Sequence, residues 1–236
     1  MIVAVDDGHG IETSGKRTPD GFKENIFNDA VKQFLFKELW NNGIIVVDCS
    51  PGREDNSLQD RVKREIDGKA DAFISIHYNA MGNVWNNSVG GIETYYNNGS
   101  VNGKRLANCA HTELVKGTSL KNRGVKSDST LYSTGLYVLA KTNSPAILVE
   151  CGFMDNPEEA RLMATESYQK ECAKEICQGI CNYFGINYTP IPTPIPEPIK
   201  EKLYIVQVGA FRSRENAVDM TDRLINLGIK AIIKEK

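Results

Sequence analysis

Five of the nine prolines stand at alternate positions in "YTPIPTPIPEPIK", at 190, 192, 194, 196 and 198. Alternate prolines remove backbone donors and hold the chain extended, so neither helix nor central strand can form there. The stretch predicts a semi-rigid spacer of about 30 Å at roughly 3.1 Å per residue. The chain of 236 residues therefore divides into a first domain at 1–187, a proline-rich linker at 188–200 and a C-terminal segment at 201–236. Only the first part is long enough to bury a core of its own. Charge divides at the same place: residues 200–236 hold eight Lys/Arg against five Asp/Glu, +3, leaving −5 of the net −2 to the rest. That balance offers no general attraction to nucleic acid. No run approaches the roughly 18 apolar residues of a spanning helix, so membrane insertion is not expected.

Within the first part, short apolar runs alternate with amphipathic ones. Strands are predicted at Ile2–Val5, "IIVVDC", "AFISI" ending before His77, "GGIETYYN" and "PAILVECGF". Between them, Phe27, Ala30, Val31, Phe34 and Leu35 line one helix face. Leu58, Val62 and Ile66 line a second helix that Ser57 caps, and Asn156 with Pro157 starts another. This order predicts an α/β layered domain with a largely parallel sheet flanked by helices, whose ligands collect beyond the carboxyl ends of the strands. The loop "NRGVKSD" carries two cations, Arg123 and Lys126. Cys172, Cys177 and Cys181 suit neither a metal knuckle nor an intrahelical disulfide, and the six cysteines read as free thiols.

The chain has three histidines, and two of them, His9 and His77, follow strands. A catalytic zinc commonly takes three protein ligands. Glu24 is the best third candidate: it opens a helix, where the dipole favours a carboxylate, and the loop from His9 can fold back to it. Two neutral imidazoles and one carboxylate leave the ion a net charge of +1, enough to acidify water. A hydrolase also needs a carboxylate that is not a ligand, and Glu150 ends an apolar strand on the same rim. Each residue alone has a plainer reading: a hydrogen-bonded structural histidine, a helix-start charge, an ion-paired rim residue. Asn79, two residues beyond His77, is a candidate to bind substrate or serve a turn, and Arg123 and Lys126 are candidates to bind substrate carboxylates. His111 lies mid-helix and reads as structural.

"VDDGHG", "KEN", "LQDRV", "FISIHYNA", "GGIETYY", "NRGVKSD" and "PAILVECGFMDNPEEARLM" occur in that order. Together they resemble the zinc-dependent N-acetylmuramoyl-L-alanine amidases that cut bacterial cell wall. The resemblance implies His9, Glu24 and His77 as zinc ligands and Glu150 as the catalytic carboxylate. It implies as substrate the amide joining N-acetylmuramic acid to L-alanine in peptidoglycan. One departure stands out: the family usually has Asp-Pro before Gly-His, and this chain has Asp6-Asp7, of which Asp6 is a candidate to orient His9 or, equally, to serve the turn.

"LYIVQVGAFRSRENAVDMTDRLINLGIKAIIK" predicts strand, turn, helix, strand, with Ala217, Met220, Leu224 and Leu227 on one helix face. It resembles half of a SPOR repeat, a module that binds glycan strands. Two copies pairing to complete one sheet would make the protein a homodimer through this end. The N-terminus enters a strand at once, without a signal-type basic and apolar segment. The expectation is therefore of a protein made in the cytoplasm that meets the wall after the membrane is permeabilised, as a phage endolysin or a mother-cell lysis amidase does. Two other readings stay open: a non-catalytic peptidoglycan-binding or regulatory protein with a structural metal, and a zinc carboxypeptidase acting on stem peptides.

Overall fold

A computed structural model describes residues 1–192 and 208–234. The chain divides into two units, Met1–Pro192 and Thr193–Lys236.

The first unit is built on strands β1 (Ile2–Asp7), β2 (Ile45–Asp48), β3 (Ala72–Asn79), β4 (Ile92–Tyr96), β5 (Asn122–Ser127) and β6 (Ala146–Phe153). Its helices are α1 (Glu24–Asn41), α2 (Leu58–Asp67), α3 (Val101–Thr118), α4 (Tyr137–Lys141), α5 (Pro157–Met163) and α6 (Glu166–Phe184). The strands form one sheet in the order β2-β1-β3-β6-β4-β5. The four from β2 to β6 run parallel, whereas β4 is antiparallel to β6 and parallel to β5. The reversal follows from the connections. No helix lies between β3 and β4, so the chain turns at the rim where β3 ends and comes straight back down; α3 then returns it to the rim before β5.

The central strands read as continuous apolar runs because both faces are covered. Val3, Val5, Ile74, Ile76, Ile147 and Val149 pack in the larger core with residues of α1, α3 and α6, among them Phe27, Leu106 and Ile176. Ala4, Phe73, Ala146 and Leu148 face the other way, under only Val62 of α2 and Val138 and Leu139 of α4. Five cysteines are buried, Cys109 is partly so, and all six are free thiols.

Three local expectations are corrected. "NRGVKS" is the edge strand β5, not a loop: Lys126 is level with Tyr95 of β4, and Arg123 lies at an irregularity between Asn122 and Val125. Leu58 and Ile66 are exposed, and the inward face of α2 carries Arg61, Val62 and Glu65. The two charged residues are tolerated because they are satisfied: Glu65 accepts from the amides of Asn143 and Ser144, and Arg61 is paired with Asp6. In the second unit, helix α7 (Arg214–Asn226) forms where expected. The final strand does not: Ile229, Ile232 and Ile233 are exposed and lie in no strand among the described residues. The spacer beyond Pro192 and the strand expected around Val206 lie outside the described residues.

Candidate active site

Register brings three side chains into one row across the sheet. His77 on β3 is level with Glu150 on β6, and Glu150 is level with Glu93 on β4. Because strand residues alternate between faces, all three share the thinly covered face with Phe73, Leu148 and Tyr95. The loop after β1 adds His9. Glu24, the first residue of α1, reaches over the rim from the other side.

The loop "DGHG" is shaped by close approach. A Cβ at Gly8 would stand 2.0–2.5 Å from atoms of the His77 imidazole, and one at Gly10 would stand 2.4 Å from the backbone of Asp55. The chain therefore threads between a ring and a backbone, and His9 takes φ +66°, a left-handed conformation uncommon outside glycine. Buried pairs fix this path. Arg61 pairs with Asp6 and donates to the carbonyl of Asp7 at 2.7 Å and that of His9 at 3.3 Å. Asp6 accepts from Ser75 Oγ at 2.6 Å, and Ser75 Oγ lies 3.2 Å from His77 Nε2. Asp6 thus reaches His77 through Ser75, not His9 as the sequence suggested. Asp7 pairs with buried Lys32 at 3.1 Å, and its N–H donates to Ser50 Oγ at 2.8 Å, a bond that proline at this position could not make. Burial pushes Asp7 up to about 6 against the opposing pull of Lys32.

One ligand atom from each of His9, Glu24 and His77 lies within 4.8 Å of the others. Glu24 Oε1 is 3.2 Å from His77 Nδ1 and accepts from the Tyr78 amide at 3.1 Å; Oε2 is 3.6 Å from His9 Nε2. Glu24 is 1 % exposed, and its Oε2 has no hydrogen-bond partner. Burial works to raise Glu24, but the hydrogen bond from His77 and the cationic field of His77, His9 and Lys16 outweigh it, holding the carboxyl at about 2. Burial, reinforced by His77, pushes His9 down to about 4. Two imidazoles and a carboxylate whose ligand atoms lie within reach of one ion, with one carboxylate oxygen shut in without a donor, are a donor set that zinc takes, so the residues fit the ion.

Glu150 lines a cavity of about 250 Å³ together with Lys16, Glu24, His77, Asn79 and Met154. Its Oε2 is also buried without a partner. Burial, with the negative fields of Glu24 and Glu93, holds Glu150 well above the usual carboxylate range. Sequence reading passed over Glu93, although its signal equals that of Glu150, a carboxylate in an apolar strand. Glu93 is 3 % exposed and gathers four donors: Asn79 Nδ2 at 2.5 Å, Tyr95 Oη at 2.8 Å, Arg123 Nε at 3.0 Å and the Lys126 ammonium. The structure thus ties Asn79, Arg123 and Lys126 together through Glu93. Asn79 has both polar ends engaged, its Oδ1 taking the Ala80 amide at 2.7 Å. His111 is buried away from the row, between Thr94 Oγ1 and Asn122 Oδ1.

Comparison with known proteins identifies the family of the chain. Residues 3–182 match the N-acetylmuramoyl-L-alanine amidase family called Amidase_3, whose members are generally zinc-dependent and act on peptidoglycan. Residues 200–236 match the SPOR domain, which binds peptidoglycan. The protein YqiI of Bacillus subtilis is 32 % identical over 77 % of this chain and 84 % of its own length. The sporulation-specific N-acetylmuramoyl-L-alanine amidase of the same organism is 26 % identical over 98 % of this chain and 83 % of its own. The catalytic domain of the amidase CwlV from Bacillus (Paenibacillus) polymyxa superposes with a TM-score of 0.71 at 30 % identity, covering 79 % of this chain and 99 % of that one.

One expectation falls with these matches. A cytoplasmic enzyme that waits for a permeabilised membrane does not fit the finding: SPOR proteins and the sporulation- and germination-specific amidases among the relatives act in the cell envelope. A wall-binding segment has its ligand there. The described residues contain no helix long and apolar enough to cross a membrane. With its paired imidazoles and carboxylates at the strand ends and the match over three quarters of its length, the chain belongs to the N-acetylmuramoyl-L-alanine amidase family.

Proposed function

We propose that this amidase hydrolyses the bond between the lactyl group of N-acetylmuramic acid and L-alanine with His9, Glu24 and His77 holding a zinc ion and Glu150 moving the proton. The observation that carries the reading is the pair of shut-in carboxylate oxygens, Glu24 Oε2 and Glu150 Oε2, left without donors on either side of two imidazoles. Two such groups are costly unless a cation and a reacting proton satisfy them. Bound there, zinc supplies a Lewis acid that acidifies water, polarises the carbonyl and offsets the negative field of Glu24. Glu150 takes a proton from the attacking water as the C–O bond forms and passes it to the departing amine nitrogen as the C–N bond breaks. Ser75 and Asp6 hold the His77 ring in its plane. Asn79, Arg123 and Lys126 line the substrate side of the row.

In this reading residues 1–187 carry catalysis, 188–200 act as the spacer and 201–236 hold the enzyme on glycan. Helix α7 buries none of its residues fully, and its partly covered side chains are Ala217, Met220, Thr221 and Leu224. An apolar face this poorly covered suits pairing with a second copy. Sedimentation at micromolar concentration tests it: a monomer with a protease-resistant tail refutes the dimer.

For the site itself, zinc is counted in purified protein and new amino termini released from cell walls are identified. About one ion per chain and N-terminal L-alanine are expected, with His77→Ala losing the metal. Bound metal without hydrolysis would favour a structural site, and release of D-amino acids would favour a carboxypeptidase.

A further inference from the structure

The reading above places Arg123 and Lys126 on the substrate side without saying what they bind and gives Glu93 no task, and the geometry of the three is specific. Between Ile92 and Thr94 of β4, strand β5 advances from Asn122 to Val125, so β5 carries an extra residue, a bulge, opposite Glu93. Bulges beside active sites re-aim side chains, and here the re-aimed residue is Arg123. Its Nε donates to Glu93 at 3.0 Å, and its guanidinium lies 4.6 Å over the ring of Phe153 at the end of β6. The plane is therefore fixed from the edge and from one face. Of the terminal nitrogens, Nη1 has only a long 3.5 Å contact to the Gly90 carbonyl, and Nη2 has no hydrogen-bond partner among the described residues. Arg123 is 25 % exposed and Lys126 32 %. With Glu93 at −1 between two cations, the cluster carries +1, which suits a single carboxylate.

Resting on the amidase reading above, we propose that Arg123 is a specificity-determining residue that takes the first free carboxylate beyond L-alanine of the stem peptide in its terminal fork, with Glu93 and Phe153 as the positioning residues that aim it. The reach is right. Two strand steps of roughly 4.8 Å separate β6 from β5, about 10 Å from the backbone of Glu150. A carboxylate on the second residue of an extended peptide lies about 7 Å from the scissile carbonyl, and the arginine side chain spans the remainder. Asn79 and Tyr95, holding the other oxygen of Glu93, keep the anchor from turning. The enzyme therefore discriminates between stem peptides whose second residue is acidic and those in which it is amidated.

The test compares two probes, N-acetylmuramoyl-L-alanyl-D-glutamate and its D-isoglutamine counterpart, both with the γ-carboxyl closed as a methylamide so that only the α-position differs, on the full-length zinc-loaded enzyme. A charge-assisted fork against a neutral amide is worth about tenfold or more in kcat/KM. Arg123→Gln should bring the ratio to within about twofold of one, chiefly through KM, at unaltered zinc content. Arg123→Lys should keep part of the preference, since it retains the charge and loses the fork. Glu93→Gln should lower the ratio, and the double variant should match Arg123→Gln alone, because Glu93 acts through Arg123. Kd values of the two probes on the Glu150→Gln protein read the same discrimination without turnover, so failure of the catalytic reading is separable from failure of this one. A wild-type ratio near one in both Kd and kcat/KM, or an Arg123→Gln variant that weakens both probes equally, overturns the proposal.

Discussion

Replacing Glu150 by Gln keeps shape and removes only the ability to ionise, so it separates catalysis from architecture. If Glu150 moves the proton, kcat/KM should fall by about 10²–10⁴, the usual worth of a positioned acid–base group. That corresponds to roughly 3–5 kcal/mol of barrier. Zinc content should stay at the wild-type level, because the three ligand atoms that lie within 4.8 Å of one another do not include it. The same substitution has a second signature in the metal-free protein. Burial and the neighbouring Glu24 and Glu93 charges raise Glu150 above its unfolded value, so the folded state holds this proton more tightly than the unfolded state. The associated stability is complete below the unfolded value of about 4.3 and is lost as pH rises through the folded value. Metal-free wild type should therefore melt below Glu150→Gln at pH 8, and the gap should close by about pH 4. Steady-state kinetics on cell walls, elemental analysis and calorimetry at the two pH values check all three. Turnover within tenfold of wild type, or loss of zinc, would refute the role given to Glu150.

Other consequences follow from the loop and its supports. Gly8→Ala puts a Cβ on the His77 ring and should weaken zinc binding by about 10–100-fold, read by competition with a chelator, while the far-ultraviolet spectrum stays that of the wild type. Arg61→Ala leaves Asp6 buried without its partner and should cost about 3–5 kcal/mol in urea denaturation; Arg61→Ala with Asp6→Asn should recover part of it. Stripping zinc with a chelator should lower Tm, and adding zinc back should restore it, because an ion that binds only the folded site stabilises by mass action.

Much of this was legible in the sequence because it rests on short-range rules. Apolar runs such as "AILV" and "IVAV" located the buried strands, and the helix starts at Ser57 and Asn156 followed from capping chemistry. His9, His77 and Glu150 stood out because polar groups at or just after the ends of buried strands need a reason, and Glu24 because it opens a helix within loop reach of His9. What escaped depends on partners far away in the chain. The strand at 122–127 lacks an apolar pattern, since it is an edge whose side chains answer Glu93. The inward face of α2 was misassigned because Arg61 is buried only by virtue of Asp6, 55 residues earlier. The role of Asp6 was likewise misdirected: Ser75, on another strand, hands its influence to His77.

The two faces of the sheet are unequally roofed, and the reacting row sits under the sparser cover, where α2 and α4 contribute only ten and five residues. A long polymer can be laid across such an open shelf sideways. Such a strand would meet the thinner of the two roofs first, and the cavity beneath it would then take only the side branch that carries the bond.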